Sequence, residues 1–286
     1  MQKKNDPSLV TISIPTYNSA KTLPLCLEAI RNQTYKNIEI NIIDGNSNDS
    51  TVELGNSYKV KEIRFYTGSL LGARDLGVKI ARGSFILFLD SDQILEKDAI
   101  KRAVIKSTND NLDMLVLEEE VYKSDTFIEK LFEFDRKLIH KVCDFSPFTG
   151  VVLARFYKTP LLRKAFANIP SNKLQSVGGQ DHAIIYYEAW LISQRVGILK
   201  DAVKHIEPNS LFVIFRKFFR WGYTSLDSHY GKYKELIEEK ERFRTGLFTR
   251  GMIKESLASI LLLILKGIPF KLGYFKARFD LLIGKR

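Results

Sequence analysis

Residues 84–92 read Ser-Phe-Ile-Leu-Phe-Leu-Asp-Ser-Asp, an apolar run that stops at an acidic triplet. The run Ser84–Leu89 shows no polar alternation. That suits a strand buried on both faces, the position a parallel sheet creates between two layers of helices. Asp90-Ser91-Asp92 then stands at the carboxyl end of this strand. Two carboxylates two residues apart can hold a divalent cation, and Mg2+ and Mn2+ commonly share their oxygen ligands with substrate phosphates. A ligand-free acidic turn spells the same triplet, so the flanking sequence has to separate the two readings.

Upstream, Val10–Pro15 is a β-rich run ending in a polar turn, Thr16–Ala20, and Leu23, Leu27 and Ile30 then mark one face of a helix. Ile38–Ile43 is a second near-continuous apolar run, closed by the turn cluster Asp44-Gly45-Asn46-Ser47-Asn48-Asp49. Ile63–Tyr66 reads as a strand and Leu70–Ala81 as a helix. Downstream, Asp98–Lys106 reads as a helix and Met114–Glu118 as a strand. Strands alternating with helices predict an α/β fold with a mostly parallel, mixed central sheet flanked by helices. Ligands of such sheets bind at the carboxyl ends of the strands, where Thr16–Asn18, Asp44–Asp49 and Asp90–Asp92 all fall.

Four segments occur in order: Ser13-Ile14-Pro15-Thr16-Tyr17-Asn18, Ile42-Ile43-Asp44-Gly45-Asn46-Ser47-Asn48-Asp49, Gly72-Ala73-Arg74-Asp75-Leu76-Gly77 and Phe88-Leu89-Asp90-Ser91-Asp92. Together they resemble the large family-two class of inverting glycosyltransferases with the A-type nucleotide-sugar fold, over about residues 8–205. The resemblance implies a nucleotide-sugar donor bordered by Pro15, Thr16, Tyr17 and Asn18. Asp44 would meet the base edge, since a carboxylate accepts from the imide of uracil or the N–H groups of guanine; a UDP-sugar is favoured and a GDP-sugar is the alternative. Asn46 and Asp49 would shape that loop, with a capping role equally open to Asp49. Arg74 would face the base or the diphosphate. Asp90 would contact ribose with Ser91 beside it, and Asp90 and Asp92 would hold Mn2+ or Mg2+. The family often has Asn after its Ala-Arg pair; this chain has Asp75.

Gly178-Gly179-Gln180-Asp181-His182 lies where that family commonly has a Glu-Asp pair opening a helix, here Ala183–Trp190. Asp181 is expected as the general base of a single displacement, which needs one carboxylate to take the acceptor proton; a helix cap is the other role open to it. His205, in Val203-Lys204-His205-Ile206, is expected as a third metal ligand or as a structural imidazole. Arg216-Lys217-Phe218-Phe219-Arg220-Trp221-Gly222 resembles the Arg-Trp element that follows the catalytic domain in this class. Arg220 would face the departing diphosphate, and Trp221 a sugar or the acceptor.

Composition sets the outer limits. With 45% hydrophobic and 27% charged residues among 286, the chain folds rather than staying disordered. Its formal charge of +11 admits nucleic acid, anionic lipid or a phosphorylated small molecule as partner. No helix-turn-helix, zinc-finger or RNP pattern supports nucleic acid. A nucleotidyltransferase is the other enzyme class weighed, but the first strand ends in Pro15-Thr16-Tyr17-Asn18 without the glycine-rich phosphate loop. Two cysteines, Cys26 and Cys143, fit a reducing compartment. The polar N-terminus lacks the apolar core of a signal peptide, so a cytoplasmic location is expected. A catalytic domain over 1–207 and a helical amphipathic region over 208–286 are expected. In the latter, Met252–Lys266 and Ile268–Ile283 read as two separate apolar segments among lysines and arginines. Neither reaches the ~20 residues of a span. They are expected to lie on an anionic membrane surface, peripheral at its inner face, where a lipid-linked or polysaccharide acceptor would be met; a core-packing helical hairpin is the other form open to them.

Overall fold

The computed structural model describes residues 8–58, 60–141, 144–148, 153–241 and 251–285. Cys143 and the last residues of the charged stretch Tyr233–Arg244 lie outside them. β1 (Val10–Thr16) leads through α1 (Leu23–Arg31) to β2 (Ile38–Asp44), then α2 (Thr51–Ser57), β3 (Glu62–Phe65), α3 (Leu70–Ile80) and β4 (Phe85–Phe88). There follow β5 (Gln93–Leu95), α4 (Ala99–Asn109), β6 (Met114–Val121), α5 (Phe127–Lys141), β7 (Ala154–Lys158), α6 (Thr159–Ala167), α7 (Ser171–Ser176), α8 (Asp181–Ile192) and β8 (Val196–His205). α9 (Leu211–Ser225), α10 (Lys234–Glu241) and α11 (Ile253–Leu282) complete the chain.

The eight strands form one mixed sheet in the order β3-β2-β1-β4-β7-β6-β8-β5. β1, β2, β3 and β4 pair in parallel, as their apolar runs require. All four residues of β4 are buried, so helices do cover both faces there. One apolar cluster joins α1 and α4 to one face, through Leu27, Ile30, Ile100 and Ala103. A second joins α3, α6 and α8 to the other, through Val78, Leu162, Phe166 and Ile185.

β7 enters the middle of the sheet antiparallel to both β4 and β6. An antiparallel strand brings its first residues, not its last, to the edge where its neighbours end. The pairing Leu87↔Phe156 therefore leaves Arg155 beside the end of β4.

The helical region beyond Glu207 departs from its expected form. The two apolar segments join into one 30-residue helix, α11, that runs straight through Pro269. At ~1.5 Å per residue it is about 45 Å long. An 18-residue window within it has a mean hydropathy of 1.6, so by length and composition it is long and apolar enough to cross a bilayer, unlike either segment alone. Packing explains the continuity: the face with Pro269 also carries the small residues Ser259, Gly273 and Ala277 and lies buried. A Cβ on Gly273 would stand 2.0 Å from the carbonyl oxygen of Phe219, and one on Gly222 1.9 Å from that of Phe270. Glycine at both positions lets α9 and α11 touch backbone to backbone. α11 also runs antiparallel along α5, where Ser259 Oγ donates to Asp135 Oδ1 and Met252 meets Leu138. Its opposite face is an unbroken apolar stripe, Ile253, Leu257, Leu261, Ile264, Ile268, Leu272, Phe275, Phe279 and Leu282, each between 39% and 81% exposed.

Candidate active site

A cavity of about 1190 Å3 opens where β1 and β4 end, and Pro15, Thr16, Tyr17, Asn18, Arg74, Asp90, Ser91, Asp92, Asp181, His205, Arg220 and Trp221 all line it. The structure thus brings together the residues that the sequence placed at strand ends with Asp181, His205, Arg220 and Trp221 from far downstream.

The β1–β2 rim is shaped by two left-handed residues, Asn18 (φ 49°) and Asn46 (φ 65°), a conformation Asn tolerates. Asn18 N–H donates to Ser47 Oγ at 2.8 Å, and Asn48 N–H donates to Asn18 Oδ1 at 2.9 Å, which ties the two loops together. Asp49 accepts from Ala20 N and from Thr51 N, the first residue of α2, both at 3.1 Å. Asp44, expected at a base edge, is enclosed instead. Its Oδ1 accepts from Thr16 Oγ1 and Ser47 Oγ and its Oδ2 from Ser47 N, all at 2.7 Å, and the residue has no exposed surface. Neither Asp44 nor Asn46 lines the cavity, whereas Gly45 between them does.

From Asp181 to Lys217, charges of alternating sign form one chain. Arg74, 1% exposed, donates from Nε to Asp181 Oδ2 at 2.5 Å and from Nη2 to Asp90 Oδ1 at 2.7 Å. Arg155 donates to Asp90 Oδ2 at 2.7 Å and lies 3.5 Å from Glu119 Oε1. Arg136 of α5 bridges Glu119 (2.7 Å) to Glu207 (2.8 Å from Nε). Glu207 lies 3.3 Å from His205 Nδ1, and His205 Nε2 lies 3.5 Å from Asp92 Oδ1. Asp92 Oδ2 is finally 3.4 Å from Lys217 Nζ. Gln93 buttresses the turn, accepting from Asp90 N and donating to Glu119 Oε1, both at 2.8 Å.

Pairing decides the protonation of these groups. Burial opposes ionisation of Asp90, yet Arg155 and Arg74 outweigh it and hold the carboxyl well below the usual carboxylate range. Burial, then Arg155 and Arg74, push the proton affinity of His182 well down, so this ring stays neutral. Arg155 donates to His182 Nε2, which therefore acts as the acceptor and leaves the proton on the buried Nδ1. Burial also disfavours a charged His205, but Glu207 and Asp92 outweigh it and raise its pKa.

The divalent cation expected at the acidic triplet has a half-built donor set here. Asp92 Oδ1 and His205 Nε2, 3.5 Å apart, converge on the cavity. Asp90 does not join them, because both of its oxygens are taken by guanidiniums. Among the described residues no three His, Cys, Asp or Glu side chains gather into a closed cage. Two protein donors with the remaining positions left to phosphate and water match the way Mg2+ is held, and an O/N pair suits Mn2+. The residues fit the cation, which would have to displace the proton that Glu207 and Asp92 favour on His205.

Asp181 is the first residue of α8, while Gln180, in left-handed conformation (φ 65°), holds the cap position without a side-chain cap bond. A capping role for Asp181 is thereby replaced by an ion pair at the cavity wall. Residues 11–169, more than half of the chain, match the family Glycosyl transferase family 2. The chain belongs to that family. This family 2 glycosyl transferase is 43% identical over 90 residues to a UDP-Glc:alpha-D-GlcNAc-diphosphoundecaprenol beta-1,3-glucosyltransferase of Escherichia coli, WfaP, covering 29% of this chain and 35% of that one. It is 29% identical over 129 residues to a second E. coli enzyme of the same description, WfgD, covering 44% and 51%. The matched regions span between about a third and a half of these relatives' length. Its fold resembles S. aureus TarS 1–349 in complex with UDP-GlcNAc, with a TM-score of 0.57 at 16% identity over 97% of this chain and 92% of that one. It also resembles the mannosyltransferase of Pyrobaculum calidifontis in complex with GDP-Man and Mn2+, with a TM-score of 0.54 at 17% identity over 97% and 81%. These likenesses place the glycosyl transferase in the A-type fold.

Sequence reading had missed Arg155, Glu119, Arg136 and Glu207. Glu119 sits in Leu117-Glu118-Glu119-Glu120, where acids continue a buried strand, and Glu207 stands two residues beyond His205. A charge adjoining a buried run was the available signal, since such a residue needs a partner.

Proposed function

We propose that this family 2 glycosyl transferase moves a sugar from a nucleotide-sugar, UDP-sugar favoured, to a lipid-linked acceptor with inversion at the anomeric carbon. What carries this reading is the placement of Asp181 and Asp92 on one cavity, joined through Arg74, Asp90 and the rest of the ion-pair chain. Asp181 takes the proton of the acceptor hydroxyl as that oxygen bonds to the anomeric carbon. The bond from that carbon to the diphosphate breaks on the opposite side, and the nucleoside diphosphate departs with the electron pair. Arg74 aims the base carboxylate through its Nε. Lys217 and Arg220 face the departing phosphates. A divalent cation, held by Asp92 and His205, would neutralise leaving charge when bound. Tyr17 covers the base, and Asp44 acts by fixing the loop beneath it. UDP is favoured because the E. coli relatives named above are UDP-Glc enzymes; the nucleotidyltransferase and nucleic-acid readings have no comparable support.

The donor is tested by hydrolysis of UDP- and GDP-sugars with Mg2+ and Mn2+. UDP-sugars should turn over at least about tenfold faster, the worth of one well-placed contact near 1.4 kcal/mol. Equal rates for both nucleotides would remove the donor assignment, and hydrolysis of neither would remove the transferase reading.

The two faces of α11 support a place at the membrane surface. Its inner face is fastened along its length to α5 and α9, by Ser259 to Asp135 and by Tyr223 Oη to Asp280 at 3.1 Å. A membrane crossing would strip those contacts away, so the outer stripe lies in the headgroup region at the inner face of the membrane, with Lys254, Lys276, Arg278 and Lys285 exposed. Removing residues 251–286 would uncover α5 and α9, so the sharper test alters the stripe alone. The intact chain should sediment with anionic liposomes, less so at high salt. Ile264→Glu with Ile268→Glu should abolish most of that binding without lowering Tm. Liposome binding that survives this double substitution would refute the stripe as the membrane face.

A further inference from the structure

The cavity continues past Asp92 into a lobe between α5, α9 and α11, walled by Phe132 and Ile139 of α5, Phe218 of α9, and Leu263 and Phe270 of α11. Lys217 of α9 and Lys266 and Lys271 of α11 line the same cavity, as does Asp135 of α5. Aromatic walls studded with ammonium groups suit a ligand that is both anionic and apolar.

Lys266 is the informative residue. It interrupts the apolar sequence of α11, and its neighbours Ile264 and Ile268 are exposed on the outer stripe. Its ammonium turns inward instead, 5.1 Å from the centre of the Phe132 ring and 5.8 Å from that of Phe218. Asp135 Oδ2 lies 3.6 Å away and compensates the charge. A lysine in a lipid-facing helix would gain more by extending outward to water and headgroups. Turned inward, it places a cation between two aromatic faces at the wall of the catalytic cavity. Lys217, whose Nζ sits 5.3 Å from the centre of the Trp221 ring and 3.4 Å from Asp92, links this lobe to the transfer site.

We propose that the lobe is the subsite for the prenyl-diphosphate end of the acceptor, with the diphosphate between Lys266 and Lys271 and the first prenyl units against Phe132, Phe218 and Phe270. The assignment rests on the glycosyltransferase reading above and goes further by giving the lipid-linked acceptor a diphosphate and a place in the cavity. A free polysaccharide carries no phosphate to meet the ammonium groups. Charge complementarity supports the choice, and so does continuity: α11 forms the lobe wall on one side and carries the exposed apolar stripe on the other. A lipid held by the membrane under the stripe reaches the lobe around this single helix, with its sugar directed toward Asp181.

The test uses the full chain, saturating UDP with Mn2+, and farnesyl diphosphate as a short soluble probe, read by calorimetry. Farnesyl diphosphate should bind together with UDP, and farnesol much more weakly. Lys266→Met, which keeps the aliphatic stem, should weaken the probe about tenfold or more, the scale of one charge-assisted contact. Lys271→Gln, at an exposed position, should weaken it several-fold with the fold undisturbed. UDP affinity should stay within about twofold in both, as neither residue lies at the nucleotide end. Farnesyl diphosphate that competes with UDP, or binds both variants as it does the parent, overturns the subsite while leaving the transferase intact. Absence of any UDP or GDP binding would instead bring down the transferase reading and the subsite with it.

Discussion

Asp181→Asn should leave nucleotide binding near normal and slow sugar transfer by about 10²–10⁴-fold, the usual worth of a positioned general base. The substitution is chosen because asparagine has nearly the same shape and caps a helix about as well as aspartate. Any contribution of residue 181 to the start of α8 is therefore kept while its basicity is removed. Arg74 loses one of its two carboxylate partners but keeps Asp90 at 2.7 Å, so the buried guanidinium retains a counter-charge. Some stability will be lost, since breaking a buried pair is costly; Tm measured beside the rate separates that loss from chemistry. Transfer at the parent rate would reduce Asp181 to a partner of Arg74. NMR of the product should show the anomeric configuration inverted relative to the donor, and a retained anomer would contradict single displacement whatever the rate.

How much of this was legible in the sequence depended on whether a feature is local. The run Ser84–Leu89 declared a strand buried on both sides, because only apolar side chains tolerate that position. The parallel pairing of β1, β2 and β4 followed from it, and so did the cavity edge. Asp181 and His205 were placed by the resemblance to family-two glycosyltransferases, and both line the cavity with the acidic triplet.

β7 was not legible. It spans five residues, has charges at positions 155 and 158, and pairs antiparallel across long sequence separations. Arg155 therefore stayed hidden, along with the ion-pair chain it joins. Asp44 shows the converse. It was read as a contact to the base edge, but a carboxylate can accept from its own loop as readily as from a base, and here Thr16 and Ser47 donate to both oxygens. α11 was read as two pieces because Lys266 closes the first apolar run and the second begins beyond Gly267. What carries the helix past them is tertiary: the glycine contacts with α9 and the inward turn of Lys266 exist only once the helices meet.

Asp92→Asn should lower transfer by about 10³-fold or more, on the scale of losing a principal stabiliser of the leaving charge, and EDTA acting on the parent enzyme should reproduce the loss. Asp92 is about a quarter exposed and pairs at 3.4–3.5 Å with Lys217 and His205, so its ion pairs add little to stability and the variant should fold. Mn2+ binding in the presence of UDP, followed by calorimetry, should fall with the activity, whereas UDP binding without metal should change little. Glu207→Gln offers a graded version. Glu207 touches His205 and Arg136 but not Asp92, so it would act by orienting the imidazole; loss of such a partner costs about 10–100-fold in metal affinity, and excess Mn2+ should restore its activity. Full turnover in EDTA would sink the metal-dependent mechanism. The salt bridges name what would then carry the work: Lys217, already at Asp92, with Arg220 at the same wall, would neutralise the diphosphate directly. Under that outcome Lys217→Met, rather than Asp92→Asn, would be the substitution that stops transfer.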